Sequence, residues 1–286
     1  MPETMQGKIC LVTGATSGIG QATAMGLARQ GALVVIAGRD AARTQDTLEA
    51  IRKETGNRQV ESLLADFSSQ AEVRRLASEF RARHGRLDVL LNNAGAVFME
   101  RAVAVDGFER TWAVNHLASF LLTLELKDLI AASAPARIVT VSSAMHTGRT
   151  LDPDKIQEEK IYGISGYGQS KLANVLFTYA LARRLAGTGV TANCLHPGVV
   201  STRLMRPKGH LAVKVLMTLI QPFLSSPEKG AATSLYLASS PEVEGVTGKY
   251  FVNRKAVPSS PVSYDEALQE RLWELSLRQT GQEASR

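Results

Sequence analysis

The 286-residue chain has only two cysteines, Cys10 and Cys194. Both fall in apolar, strand-like runs, which reads as two small core residues of a reduced, intracellular protein and excludes a disulfide scaffold. No cationic start leading into an apolar run opens the chain, so no signal peptide is expected. No stretch reaches the roughly 20 apolar residues needed to span a bilayer. The expected location is the cytoplasm. There is no internal repeat and no low-complexity linker, which favours one domain over residues 1–286. A basic patch interleaved with aromatics is also missing. The modest net charge of +6 suits an anionic cofactor as well as nucleic acid, and without such a patch nothing argues for the latter.

What is present begins with an apolar run at residues 8–12 that stops at Thr13-Gly14, followed by T-G-A-T-S-G-I-G over 13–20 and a helical pattern through Ala22, Met25, Leu27 and Ala28. A buried strand, a glycine turn and a helix N-terminus in succession make a phosphate cradle, because bare amides and the helix dipole face the anion. Gly14 allows the tight turn, and Gly18 and Gly20 allow close approach of backbone to a pyrophosphate.

A second strand, 33–37, ends at Gly38-Arg39-Asp40. The end of this strand meets the adenosine ribose in dinucleotide folds, where an acid selects NAD and an arginine accommodates the 2′-phosphate of NADP. Arg39 therefore favours NADP(H), and Asp40 stands either to approach the ribose or, the reading preferred, to cap the next helix. A third strand, 60–65, delivers Asp66, placed either to bond the adenine amino group or to cap the helix expected over 68–84. Strands follow at 87–91, running into Asn92-Asn93-Ala94-Gly95, and at 137–141, running into Ser142-Ser143. Between them a helix is expected over 108–132, carrying Asn115. A serine pair at a strand's carboxyl end is well placed for chemistry, since ligands of open α/β sheets bind there. The polar stretch 144–164 is long for a connection and reads as part of the site's rim.

Tyr167 and Lys171 lie four residues apart in a segment of helical periodicity, hence on one helix face. The ammonium should favour the phenolate and hold Tyr167 below the usual value of about 10, tuning it for proton transfer to or from an alcohol oxygen. A surface pair is the plainer alternative. A sixth strand, 190–195, closes in H-P-G-V-V-S-T over 196–202. Residues 211–224 are strongly apolar and read as a lid over an apolar pocket, a packed helix or an interfacial membrane helix. With flanking residues 203–226, the lid is the reading adopted. A helix at 228–239, a seventh strand at 249–252 and a helix at 265–277 complete the chain.

These motifs, in this order, resemble the short-chain dehydrogenase/reductase family over nearly the whole chain: T-G-A-T-S-G-I-G, Asp66, N-N-A-G at 92–95, Asn115, Ser143, Y-G-Q-S-K at 167–171 and P-G-V-V-S-T at 197–202. R-I-V-T-V-S-S-A-M-H, S-K-L-A-N-V-L-F-T and N-H-L-A-S-F-L-L-T bring it nearest the retinol-dehydrogenase-like branch. The resemblance implies an α/β Rossmann fold, a doubly wound parallel sheet of about seven strands with helices on both faces. It implies catalysis by Asn115, Ser143, Tyr167 and Lys171. Tyr167 would be the general acid or base, Lys171 would lower its pKa and bond the nicotinamide ribose, Ser143 would bond the substrate oxygen, and Asn115 would order a relaying water.

For the cofactor it implies Gly14, Thr16, Ser17, Gly18, Ile19, Gly20, Arg39, Asp66, Phe67, Asn93, Ala94, Gly95, Tyr167, Lys171, Pro197, Gly198, Val200 and Thr202. No metal is implied. The expected activity is NADP(H)-dependent interconversion of a carbonyl and an alcohol on an apolar, bulky small molecule. A light-dependent tetrapyrrole reductase and a non-catalytic NADP(H) sensor are the alternatives. Family members commonly pair through the helices bearing Asn115 and Tyr167, and monomers also occur.

Overall fold

Short β-branched and leucine-rich runs alternate with amphipathic helices along this chain, and the computed structural model assembles them into one eight-stranded sheet with helices on both faces. It describes residues 4–156, 161–198 and 226–282. The strands are β1 (Ile9–Thr13), β2 (Leu33–Gly38), β3 (Val60–Leu64), β4 (Val89–Asn92), β5 (Ala136–Val141), β6 (Val190–His196), β7 (Tyr250–Val252) and β8 (Lys255–Val257). Their spatial order is β3-β2-β1-β4-β5-β6-β7-β8.

The first seven pair in parallel, with Thr13 opposite Ala37, Asn92 opposite Thr140 and Val141 opposite Leu195. This register brings the carboxyl ends of β1, β2, β4, β5 and β6 to one edge. Strand order reverses between β1 and β4, where doubly wound sheets open a ligand crevice.

The eighth strand departs from the expectation of about seven. β8 turns back antiparallel on β7, through Asn253 and Arg254 at φ 50° and 64°. Positive φ at both central residues is the geometry of a tight two-residue hairpin, which asparagine tolerates well. Its three residues lie at the sheet's outer edge and are too short to show a periodicity.

Helices α1 (Gly18–Arg29), α2 (Ala41–Thr55) and α3 (Gln70–Arg83) follow the first three strands. The helix expected over 108–132 is interrupted: α4 (Arg110–Trp112) runs into a π-helical turn, Ala113–Leu117, and continues as α5 (Ala118–Ala132). After β5 comes α6 (Gly163–Arg184), buried along nearly its whole length. Such burial leaves no polar stripe, and it is completed by a C-terminal helix packed over it. That helix is α8 (Glu266–Gln279), and its predecessor is α7 (Pro227–Ser239). Trp273 of α8 meets Phe120 and Phe177 at ring separations of 5.0 and 5.9 Å.

Cys10 and Cys194 are both free and buried, as their runs imply. Among the described residues no helix is long and apolar enough to cross a membrane. The lid expected over 203–226, with its apolar run 211–224, lies outside the described residues except for Ser226, which caps α7.

Candidate active site

The tips of β1 and β4 are stitched together before any ligand is considered. The Thr13 hydroxyl donates to Leu91 O and accepts the amides of Asn93 and Ala94 at 2.9 and 3.0 Å. The Asn93 amide donates back to Thr13 O and Gly14 O at 2.8 and 3.2 Å. Gly14 takes φ 64° in this contact, and a methyl there would lie 2.8 Å from Ala94 Cα. A methyl on Gly20 would lie 2.4 Å from Asn93 Nδ2 and 2.5 Å from Gly14 O. Glycine is therefore required at both positions by neighbours that cannot retreat.

Ser17 precedes α1 in extended conformation without a side-chain cap, and no acidic residue enters the first turn. The leading amides of α1 are left for an external acceptor, and the helix dipole favours an anion there. Thr16, Gly18 and Ile19 complete the turn.

At the tip of β2 the structure shows why no acid stands there. A methyl on Gly38 would meet Thr16 Cγ2 at 2.5 Å and Thr44 Oγ1 at 2.7 Å. Asp40 is occupied, accepting the Arg43 amide at 3.0 Å as the cap of α2, while Arg39 is exposed.

Asp66 does not cap the next helix. Ser69 does, and Asp66 Oδ1 instead accepts the amide and hydroxyl of Ser68 at 2.9 and 2.8 Å. Burial pushes its pKa up, but those two bonds and the Arg39 and Arg110 charges prevail and hold it below the ordinary carboxylate value. Phe67 packs in the main core cluster, so only its backbone faces a ligand.

The catalytic candidates converge between β4, β5 and α6. Tyr167 and Lys171 share a face of α6, 6% and 3% exposed. Lys171 Nζ donates to Val141 O at 2.9 Å and lies 5.5 Å from the centre of the Tyr167 ring. Burial holds the ammonium down to about 8.

The expected depression of the tyrosine is not found. Burial pushes the phenol above its ordinary value, offset in part by a hydrogen bond with Ser143. The ammonium is directed to a carbonyl and the ring, so desolvation outweighs its charge. Of the serine pair, Ser142 turns away and donates to Lys171 O at 2.7 Å. Ser143 Oγ accepts the Met145 amide at 3.2 Å and is the serine that meets the phenol.

Asn115 is fully buried in the π turn. Its Oδ1 accepts from Ala96 N, and its Nδ2 donates to Ala96 O and to Ser170 Oγ. The side chain thus clamps the loop after β4, beside Gly95, where a methyl would lie 3.3 Å from Asn115 Oδ1 and 3.4 Å from Lys171 Nζ. Its main-chain carbonyl accepts Asn174 Nδ2 at 3.0 Å.

Thr13, Ser170 and Asn174 were not singled out from the sequence. Their role is visible only once separate strands and helices meet. Pro197 and Gly198 stand at the tip of β6. Val200 and Thr202 lie outside the described residues. No cluster of three or more metal-ligating side chains occurs among the described residues.

Residues 8–211 match the sequence family described as short chain dehydrogenase. The human protein "Retinol dehydrogenase 14" is 44% identical, over 96% of this chain and 87% of its own length. Human "Polyprenol dehydrogenase" is 41% identical, over 96% and 85%. Among solved structures, an uncharacterised protein from Mycobacterium paratuberculosis superposes with a TM-score of 0.77 at 31% identity, covering 97% of this chain and 95% of its own. The RhlG/NADP active-site complex of Pseudomonas aeruginosa gives 0.71 at 30%, covering 88% and 96%.

Proposed function

The chain belongs to the short-chain dehydrogenase family, and within it we propose an NADP(H)-dependent oxidoreductase that interconverts a carbonyl and an alcohol on an apolar, bulky substrate. The observation that carries this reading is the meeting of Ser143, Tyr167, Lys171 and Asn115 at the sheet edge where the glycine cradle opens.

The residues present fit a nicotinamide dinucleotide. The uncapped start of α1 and the side-chain-free surface at Gly14, Gly18 and Gly20 suit a pyrophosphate. Asp66 and the backbone of Phe67 suit the adenine, and Asn93, Ala94, Gly95, Lys171, Pro197 and Gly198 border the nicotinamide end. NADP(H) rather than NAD(H) is supported by Arg39 at the β2 tip and by Gly38, where a carboxylate does not fit. A relative of known structure is described as an NADP complex.

When bound, the dinucleotide supplies or accepts the hydride. The chain's own residues handle the oxygen and its proton. Ser143 donates a hydrogen bond to the substrate oxygen as charge gathers on it. Tyr167, held protonated by its burial, passes its hydroxyl proton to that oxygen in reduction and recovers it in oxidation. Lys171 binds the ribose and, as a buried cation, stabilises the phenolate left behind. With the Asn115 amide engaged by Ala96 and Ser170, the task of ordering a relaying water falls to the Asn115 main-chain carbonyl, since a carbonyl oxygen carries two lone pairs.

An apolar substrate is supported by relatives named for retinol and polyprenol, both apolar alcohols. Met99, Tyr162 and Ile164, exposed by 59, 41 and 37%, add to this beside the start of α6, where a methyl on Gly163 would lie 3.7 Å from Met99 O. Residence in the cytoplasm belongs to the same proposal. A panel of aldehydes, ketones and alcohols of graded apolar length, assayed with NADPH or NADP, is expected to show turnover rising with length. Turnover confined to short polar members would overturn the substrate class.

A further inference from the structure

The serine that the proposal places at the substrate oxygen is held by a side chain with no role so far. His146 is 2% exposed and ends the 3-10 turn Ala144–His146 that follows Ser143. Its Nδ1 lies 2.7 Å from the main-chain oxygen of Ser143. Its Nε2 accepts the main-chain N–H of Ser260 at 3.0 Å. A carbonyl only accepts and an amide N–H only donates, so one form alone satisfies both: the neutral imidazole with its proton on Nδ1. The ring lies 4.8 Å from that of Tyr250, which fixes its plane.

Each end of this clamp leads into the site. Ser143 O receives both the His146 amide at 3.1 Å and the imidazole, while Ser143 Oγ receives the Met145 amide. The serine is thus held on its main chain and from behind its oxygen, and its O–H is left to aim forwards. At the other end, Ser260 belongs to a segment braced on α6. The Tyr179 hydroxyl of α6 bonds Ser259 Oγ at 2.7 Å, which bonds Ser263 Oγ at 2.6 Å, which donates to Ser260 O at 2.6 Å. Gln269 of α8 secures Ser263 O at 2.7 Å. The β5 tip carrying Ser143 and the helix carrying Tyr167 are therefore joined through a third piece of chain, with His146 as the joint.

We propose that His146 is a positioning residue, which sets the Ser143 hydroxyl against Tyr167 by tying the β5 tip to the 259–264 segment. The proposal rests on the role given to Ser143 above. A hydroxyl misplaced by about an ångström costs on the order of 100-fold in rate, so a rigid tie at this point has something to protect.

His146→Phe keeps the ring and its Tyr250 contact and removes both hydrogen bonds. It is expected to lower kcat by about 10- to 100-fold with NADPH affinity, titrated by fluorescence, unchanged. In a Ser143→Ala background the same change should cost almost nothing, because nothing is left to position. His146→Asn, which keeps an N–H for the Ser143 carbonyl, should recover part of the loss.

Ser260→Pro tests the other end. Ser260 already sits at φ −60° and ψ 143°, where proline fits; the change removes the amide donor together with a hydroxyl that bonds none of the described residues. It should show the same dependence on Ser143 with a smaller loss, and it carries the test if His146→Phe does not fold. Equal losses in both backgrounds would reduce His146 to support of the fold, and parent-like kcat in both variants would overturn the proposal. Full activity in Ser143→Ala alone would instead overturn the role of Ser143.

Discussion

At the tips of β1 and β2 the site is made of backbone and of side chains that are missing, whereas at the tips of β4 and β5 and along α6 it is made of buried polar groups. The first region tolerates no added atom, since a single methyl at Gly20 would come within 2.4 Å of Asn93 Nδ2. The second is set by the groups present: Lys171, Asn115 and Ser142 all spend their polar atoms on named partners. Shape selects in one region and charge acts in the other. The cradle costs the fold little, while the Tyr167–Lys171 pair keeps an ammonium away from water at the fold's expense.

Tyr167→Phe should separate the two regions most sharply. Turnover should fall by about 10²–10⁴-fold while NADPH binding persists. Loss of both together would mean that the regions are one.

Lys171→Met should show what the buried charge costs. The lysine falls from 10.5 unfolded to about 8 folded, so between those values the unfolded chain holds a proton that the folded one has released. Parental stability therefore climbs with pH across that window, and below it bears the full penalty of about 3 kcal/mol. Val141 O keeps Asn174 Nδ2 at 3.5 Å. The variant should melt above the parent at pH 7 and lose that advantage towards pH 10. A lower Tm at pH 7 with an unchanging gap would show that the ammonium stabilises the fold instead.

Gly20→Ala should do the reverse of Tyr167→Phe. Overpacking costs about 1–3 kcal/mol of stability, and cofactor affinity should weaken while activity at saturating cofactor is spared. Unchanged affinity would remove Gly20 from the cradle.

The smallest effect belongs to Arg39. Its replacement by alanine should reduce the NADP over NAD preference in kcat/KM by roughly tenfold, the value of one exposed charge-assisted bond. Asp40→Ala should cost about 1 kcal/mol of stability as a lost helix cap and leave the preference alone. A shifted preference in Asp40→Ala would mean that the carboxylate reaches the ribose after all.

The difference between the regions also decides what the sequence alone could reveal. The cradle is contiguous, so Gly14, Gly18 and Gly20 announce it, and periodicity places Tyr167 beside Lys171. Partners that come from other strands are silent. Nothing local says that Asn115 bonds Ala96, that Ser142 rather than Ser143 turns to Lys171, or that His146 reaches Ser260 across 114 positions. Asp66 was open to reading as a cap because Ser68 and Ser69 follow it, and only geometry assigns that role to Ser69. The raised pKa of Tyr167 is hidden from the sequence for the same reason. Spacing gives the neighbour's charge but not the depth of burial that outweighs it. The π turn at Asn115 lies within an apolar helical pattern that gives no sign of it.

Transfer of deuterium from C4-labelled NADPH, followed by mass spectrometry with a long-chain apolar aldehyde, tests the central claim most directly. The label is expected on the carbinol carbon of the product with the parent enzyme, and to arrive there about 10²–10⁴-fold more slowly with Tyr167→Phe, although that variant still binds the dinucleotide. Retention of the label in NADPH by the parent with every aldehyde and ketone offered, despite binding, would contradict the account.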